Sequence, residues 1–275
     1  MELASGDVLI LLLLIITTGM IAGLLAGLLG VGGGIVIVPI LFLIFDSLSF
    51  SEITSMHTAV ATSLATIIPT SIASARAHHR KGNVDWALFR QWFPFLVVGA
   101  AAGGLLSTVF GSADLKLIFG VIALLVAMHM AIPGERVLAN ALPRSVAGQG
   151  VMASTIGVLS ALMGIGGGTL SVPVLSLFSY PTHRAVGTAS AFGLLIALPA
   201  VLGFIWSGWN QPERLPISLG YVNLLAAGLL FPVTTFFAPV GARIAHVLPA
   251  RQLRLAFAVF LAMTATRMLW TAFSR

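Results

Sequence analysis

Long apolar runs alternate with short polar loops along this chain. Most runs approach the roughly 20 residues with which an α-helix crosses a bilayer. The period-2 alternation of a membrane β-barrel is missing, so the pattern predicts an all-α polytopic membrane protein. The second and seventh runs are too short to span untilted, and we expect them to be half-helices or re-entrant segments. The runs are 8–29, 33–45, 56–75, 87–110 and 115–132, then 148–164, 167–179, 184–206, 218–238 and 253–272.

A glycine motif occurs twice at equivalent places. Gly30-Val-Gly-Gly-Gly34 precedes Pro39, and Gly164-Ile-Gly-Gly-Gly168 precedes Pro173 at the same spacing. Close helix packing needs one small residue per turn, whereas consecutive glycines break a helix. Unwound backbone survives in a membrane only inside protein or beside a wet cavity, and matched breaks in two halves are typical of a transporter's binding site. We expect an irregular, ligand-facing turn in each half; simple helix packing is the alternative.

The duplication extends over nearly the whole chain. The segment 57–62, His-Thr-Ala-Val-Ala-Thr, returns as His-Arg-Ala-Val-Gly-Thr at 183–188, and Gly-Asn-Val-Asp at 82–85 returns as Gly-Tyr-Val-Asn at 220–223. Each half holds four to five hydrophobic segments. We predict an N-terminal transmembrane repeat over 1–133, a connecting loop over 134–147 and a C-terminal transmembrane repeat over 148–275.

Charge predicts the orientation of the halves. The basic loop 76–81 is expected to be cytoplasmic, whereas its second-half counterpart at 207–217 carries few cations. The other pair of equivalent loops shows the opposite bias, with cations at 243–254 and few near Gly111. Such a swap is typical of inverted repeats with an odd number of crossings per half and both termini outside the cytoplasm. Parallel halves of four spans each are the alternative.

Composition excludes several function classes. Hydrophobic residues make up 58% of the chain and charged residues 8%, and the mean hydropathy is +1.06. The net charge of +6 resides mainly in loops, so we expect no nucleic-acid partner. Cysteine is absent, and all eight acids fall in loops or at segment ends. We therefore expect no metal site, no cofactor and no enzyme activity.

Glycine amides and hydroxyls without buried carboxylates suit an anion. Consecutive glycine N–H groups can form a concave anion-binding nest, and the N-termini of half-helices add partial positive charge. For any single hydroxyl, the alternative is a hydrogen bond within its own helix. The candidate substrate-binding residues are Gly32, Gly33, Gly34, Pro39, His57, Thr58, Thr62, Ser63, Gly166, Gly167, Gly168, Thr169, Pro173, His183, Arg184, Thr188 and Ser190.

Two of these candidates are histidines, a residue type whose side chain ordinarily titrates near neutral pH. His57 and His183 stand at equivalent positions before a threonine-containing run, where they are candidates for proton coupling. A pair of interfacial loop histidines is the alternative. Arg184 replaces Thr58 in the second copy and is expected to add a cation near the second motif.

The doubled G-x-G-G-G-x₄-P element, followed by His-x-Ala-Val-x-Thr and a basic loop, resembles the sulfite exporter TauE/SafE family, also called the 4-toluene sulfonate uptake permease family. The resemblance covers most of the chain, and the family's glycine motifs fall on Gly30–Gly34 with Pro39 and on Gly164–Gly168 with Pro173. It implies a multi-pass inner-membrane secondary transporter, usually an exporter, of sulfite or organosulfonates. We expect alternating access, with a small anion and membrane lipid as the partners. A passive anion channel, a transporter of another small anion and, last, a membrane-embedded enzyme are the alternatives.

Overall fold

The computed structural model describes residues 5–30, 32–47, 51–131, 138–244 and 250–273. Within these ranges the chain is almost entirely helical, which confirms the expected all-α polytopic class. The helices are α1 Ser5–Leu29, α2 Gly34–Ser47, α3 Glu52–His79, α4 Trp86–Leu106, α5 Ser112–Ala131, α6 Val146–Met163, α7 Gly168–Leu177, α8 Thr182–Ser207, α9 Leu224–Ile244 and α10 Ala250–Phe273. Strands β1 Ser218–Leu219 and β2 Val222–Asn223 form a short antiparallel hairpin.

Helix length separates the spanning helices from two short ones. Among the described residues, the helices α3, α4, α5, α6, α8 and α9 are long and apolar enough to cross a membrane. The 14 residues of α2 and the 10 residues of α7 give lengths of about 21 Å and about 15 Å, short of a bilayer core of about 30 Å. The predicted boundary at 133–134 lies outside the described residues, so the division into two repeats stays a prediction.

Equivalent residues make equivalent helix contacts. The helix α1 packs against α9, and α6 packs against α4. A Cβ atom added at Gly23 would lie 2.7 Å from the carbonyl oxygen of Thr234, and one added at Gly157 would lie 2.7 Å from that of Leu96. Only glycine permits such close approach, which is how small residues hold membrane helices together. The close helix packing at Gly23 and Gly157 is therefore distinct from the helix breaks at the glycine motifs.

Of the six candidate spans among the described residues, α3 and α8 are the most buried, and the two helices run antiparallel. Near the start of α8, Gly187 packs on the backbone of Asn83, just beyond the end of α3. At the other end of α8, the hydroxyl of Ser207 lies 3.1 Å from that of Ser107. The carbonyl oxygen of Ser107 lies 3.1 Å from Nε2 of His57, near the start of α3. Equivalent helices run antiparallel when two halves are inverted and parallel when they are not, so the packing favours the inverted arrangement.

The end of α7 contacts the segment that leads to α6. The amides of Leu138 and Ala139, in the segment leading to α6, donate to the carbonyl oxygen of Leu177 over 2.7 and 3.2 Å. The end of α7 therefore lies beside the approach to α6. This contact favours the re-entrant form for the seventh apolar run, whose position in the membrane stays a prediction.

Candidate functional site

The helices break at both glycine motifs, as the sequence predicts. Between α1 and α2, Gly30, Gly32 and Gly33 have φ values of +66°, +75° and +75°, a left-handed conformation that L side chains rarely adopt. Between α6 and α7, Gly164 has φ +68° and caps α6. Val31, inside the first motif, lies outside the described residues. Both turns are irregular backbone buried in protein, where a membrane protein tolerates it.

The two glycine turns meet each other. A Cβ atom added at Gly32 would lie 2.9 Å from the Cα atom of Gly166, its equivalent in the second half. A second equivalent pair also meets, because Cγ2 of Ile67 lies 3.6 Å from where a Cβ atom of Gly193 would be. Equivalent residues can touch only on the axis that relates the halves. We call the line through these two contacts the pseudo-symmetry axis.

The N-termini of two short helices converge at this axis. The helix α2 begins at Gly34 and α7 begins at Gly168, each directly after its turn. The first amides of a helix have no partner within that helix, and the helix dipole places partial positive charge there. Both first turns are buried. Paired, buried helix N-termini with glycine amides between them favour a small anion over a cation.

Ser63 is the predicted hydroxyl that the structure brings to the glycine turns. Its hydroxyl donates to the carbonyl oxygen of Gly164 over 2.8 Å, and its Oγ lies 2.9 Å from where a Cβ atom of Gly34 would be. Ser190 instead donates to the carbonyl oxygen of Gly187 in its own helix, over 2.6 Å. Ser190 thus has the alternative arrangement expected for a helical hydroxyl. Thr58 is buried in α3.

Thr62 and Thr188 connect the halves. The Thr62 hydroxyl oxygen accepts from the amide of Asn223 over 3.0 Å, and that of Thr188 accepts from the amide of Asp85 over 2.8 Å. Asp85 and Asn223 cap the N-termini of the equivalent helices α4 and α9. We call the two hydrogen bonds, Asn223 to Thr62 and Asp85 to Thr188, the cross-half bonds. The end of the bundle containing Asp85 is the Asp85 face, and the opposite end is the Asn223 face.

The two predicted histidines have different surroundings. His57 is buried, its Nε2 lies 3.1 and 3.0 Å from the carbonyl oxygens of Ser107 and Phe110, and its ring stacks on Tyr221 with centroids 4.8 Å apart. His183 is exposed at the start of α8. Their equivalence in sequence therefore does not extend to their environments.

Arg184 lies against Asp85, at the Asp85 face. Its guanidinium group is 3.1 Å from the Asp85 carboxylate, to which the Tyr180 hydroxyl also donates. Burial would raise the pKa of Asp85, but the hydrogen bonds from Tyr180, Leu88 and Ala87 and the charge of Arg184 outweigh it, so that pKa lies below its ordinary value. Burial and the bond to Asp85 raise the pKa of Tyr180. The cluster holds the α7–α8 connection against the start of α4.

The remaining candidates line the two turns or their helices. Pro39 and Pro173 lie inside α2 and α7. Gly167 packs on α8, where its added Cβ would lie 2.6 Å from Cβ of Phe192. Thr169 is buried in the first turn of α7.

Sequence reasoning missed two buried polar residues. Lys116 of α5 is 4% exposed, and its Nζ lies 4.8 Å from the ring centroid of Phe42 in α2, a cation–π contact. Ser71 of α3 is 1% exposed and lies against Gly193. A lysine at the second position of the apolar run 115–132 was a usable signal for the first. Nothing in the sequence distinguishes Ser71 from the other hydroxyls of α3.

Comparison with known proteins covers almost the full chain. The model of the family described as Sulfite exporter TauE/SafE matches residues 15–268. A probable membrane transporter protein of Haemophilus influenzae is 35% identical over 263 residues, covering 94% of this chain and 97% of the relative. Another of Methanocaldococcus jannaschii is 30% identical over 251 residues, covering 90% and 92%. The Bacillus subtilis protein YunE, also named a probable membrane transporter, is 28% identical over 256 residues, covering 84% and 87%. No solved structure matches significantly.

Proposed function

This chain belongs to the sulfite exporter TauE/SafE family and is a multi-pass membrane transporter, and from this we propose that it exports small sulfur-containing anions, sulfite or organosulfonates, across the inner membrane. The observation that carries the proposal is the meeting of the two glycine turns at Gly32 and Gly166, where α2 and α7 begin. Two helix N-termini facing one buried point form a site for negative charge that requires no cation from a side chain.

Backbone amides hold the anion in this proposal. The amides of the first turns of α2 and α7 replace the water molecules around the oxyanion, and the hydroxyl of Thr169, which has no partner within the described part of the chain, adds a donor. The spacing between Gly32 and Gly166 changes as the halves move. The anion therefore binds between the turns in one arrangement and leaves in another.

Alternating access follows from the cross-half bonds at the two ends of the bundle. The bond of Thr188 to Asp85 closes the Asp85 face, and the bond of Thr62 to Asn223 closes the Asn223 face. Opening one face while the other stays closed moves the anion across without a continuous pore. The positive charge of residues 76–81, at the end of α3 and just beyond it, supports a cytoplasmic location for the Asp85 face. Export then begins with the opening of that face.

Flux into proteoliposomes tests the proposal. The purified protein is reconstituted, and uptake of radiolabelled sulfite, sulfate and methanesulfonate is measured with and without an imposed pH gradient and membrane potential. A carrier gives saturable uptake and counterflow of labelled sulfite when unlabelled sulfite is loaded inside. Uptake without saturation or counterflow indicates a channel. The absence of flux for any sulfur anion overturns the proposed substrate class.

A proton-coupling role for His57 is tested in the same vesicles. If the protein couples anion movement to protons, an imposed pH gradient drives sulfite accumulation in the wild type, and His57→Gln removes that dependence while leaving potential-driven flux. The exposed His183 provides the matched control, His183→Gln.

A further inference from the structure

The two glycine turns are lined by different side chains. In the first half, Ile35 and Ile37 stand in the first turn of α2, and both are fully buried. Their equivalents in α7 are Thr169 and Ser171. On the pseudo-symmetry axis, Ile67 fills the space beside Gly32, with its Cγ2 3.3 Å from where a Cβ atom of that glycine would lie. The pairing of an apolar turn with a polar one breaks the symmetry between the halves.

The residue equivalent to Ile67 is a glycine with a hydroxyl against it. No side chain extends from Gly193, and Oγ of Ser71 occupies the place where its Cβ atom would be. The same glycine contacts the second turn, because a Cβ atom added at Gly167 would lie 2.9 Å from the amide nitrogen of Gly193. Ser71 and the N-terminus of α7 therefore both lie against Gly193.

The hydroxyls on this side have no hydrogen-bond partner within the described part of the chain. They belong to Ser71, Ser160, Thr169 and Ser171, each at most 2% exposed. A buried hydroxyl without a partner is costly, so native proteins rarely keep one without a reason. Here several occur on the elements that surround one turn. Bonds within the helix were available to Ser71 and Ser171, as Ser190 shows, and neither makes one.

We propose that the transported anion binds off the pseudo-symmetry axis, on the second-half side, where the hydroxyls of Ser71, Thr169 and Ser171 and the first amides of α7 donate to its oxygen atoms. The inference rests on the proposed function and specifies the substrate class. Several hydroxyl donors suit a ligand that offers several acceptor oxygen atoms, such as the SO₃ group shared by sulfite and sulfonates, and the comparison with chloride below tests this preference. The isoleucines of the first half form the apolar wall opposite.

Three substitutions test the site in reconstituted full-length protein. We measure KM and maximal rate of sulfite flux for Ser71→Ala, Thr169→Val and Ser171→Ala. Matched controls are Ser74→Ala on α3, whose hydroxyl donates to Ala26 over 3.3 Å, and Ser176→Ala on α7, whose hydroxyl donates to Val172 over 2.9 Å. Each test variant is expected to raise KM about tenfold, since each removes one hydrogen bond to a charged group. Unchanged KM in all three overturns the proposal.

A second measurement separates this inference from the proposed function. The Tm of the detergent-solubilised protein is recorded with sodium sulfite, methanesulfonate, sulfate, phosphate and chloride. If the wild-type protein transports no sulfur anion, the proposed function fails. The binding site is then tested by the Tm measurements alone, which do not depend on transport. An oxyanion-dependent rise in wild-type Tm that the three variants lose supports the site. The proposed site is overturned if the three variants keep the rise in Tm, or if no oxyanion raises the Tm of the wild type.

Discussion

The hydroxyl oxygen of Thr188 accepts a hydrogen bond from the amide of Asp85, and the two residues belong to different halves of the chain. The same relationship holds between Thr62 and Asn223 at the opposite face. Asp85 and Asn223 differ chemically, since only the former pairs with an arginine. The two faces are therefore closed by equivalent backbone bonds but by unequal side-chain interactions, with the stronger set at the Asp85 face.

Removing each cross-half bond is expected to open one face. Thr188→Val leaves the Asp85 amide unpaired, and Thr62→Val does the same to Asn223, which costs about 1–3 kcal/mol in each case. The chain has no cysteine, so single-cysteine reporters need no background correction. We expect Thr188→Val to increase maleimide labelling at Asn83→Cys and Thr62→Val to increase it at Ser207→Cys. Equal effects of both variants at both reporters would contradict the assignment of the faces.

Neutralising Asp85 is expected to weaken the Asp85 face modestly. Asp85→Asn keeps a capping side chain for α4 but removes the ion pair with Arg184, whose side chain is 52% exposed. Because solvent screens such a pair, we expect a loss of about 1 kcal/mol and a fall in Tm of about 2–4 °C. Thermal unfolding of the detergent-solubilised protein measures the fall in Tm. Arg184→Gln is the matched variant. If the Tm of the double variant falls much further than that of either single variant, the two residues do not act through each other.

The contribution of Asp85 is expected to depend on pH. Its pKa in the folded protein lies below the ordinary value of 3.8, so the carboxylate stabilises the fold fully at pH values well above 3.8. The stabilisation is lost as the pH falls below 3.8 and through the folded-state pKa. The difference in Tm between wild type and Asp85→Asn should therefore be constant near neutral pH and shrink in acid. A difference that grows as the pH falls would reverse the sign of this argument.

Side chains at the glycine turns are expected to abolish transport. Gly32→Ala places a methyl group against the Cα atom of Gly166, and Gly32 also has φ +75°. Gly166→Ala is the equivalent change in the second turn. Gly33→Val with Gly167→Val is the more severe pair. Gly228→Ala on α9 is the control, because no atom lies within 4 Å of its added Cβ. Flux and membrane insertion are measured together, and normal flux in Gly32→Ala would contradict a site between the turns.

The sequence predicted what depends on local pattern and on the repeat. Apolar run length predicted the spanning helices, and consecutive glycines predicted the breaks, because both effects act within one segment. Contacts between distant segments were not predictable in the same way. The expected cation near the second motif, Arg184, lies against Asp85, and His183 is exposed where its equivalent His57 is buried. Partner choice and burial are set by tertiary packing, which a matching motif does not encode.

Hydroxyl chemistry shows the same limit within a single helix. The α3 residues Ser63, Ser71 and Ser74 are alike in sequence, yet two have carbonyl partners and Ser71 has none within the described chain. Which hydroxyl lacks a partner depends on what the opposite helix presents at that level, here Gly193. The sequence could therefore only name many hydroxyl residues as candidates for substrate binding, and their roles stay predictions.

The cross-half bonds also order the biogenesis of the protein. The amide of Asp85 bonds a hydroxyl 103 residues further along the chain, so it has no partner while only the first half has left the ribosome. During synthesis, the start of α4 must stay hydrated at the membrane surface or be held by the insertion machinery until α8 arrives. A nascent chain stalled between the two residues is thus expected to be a substrate for membrane quality control, whereas one extended past Thr188 is able to escape it.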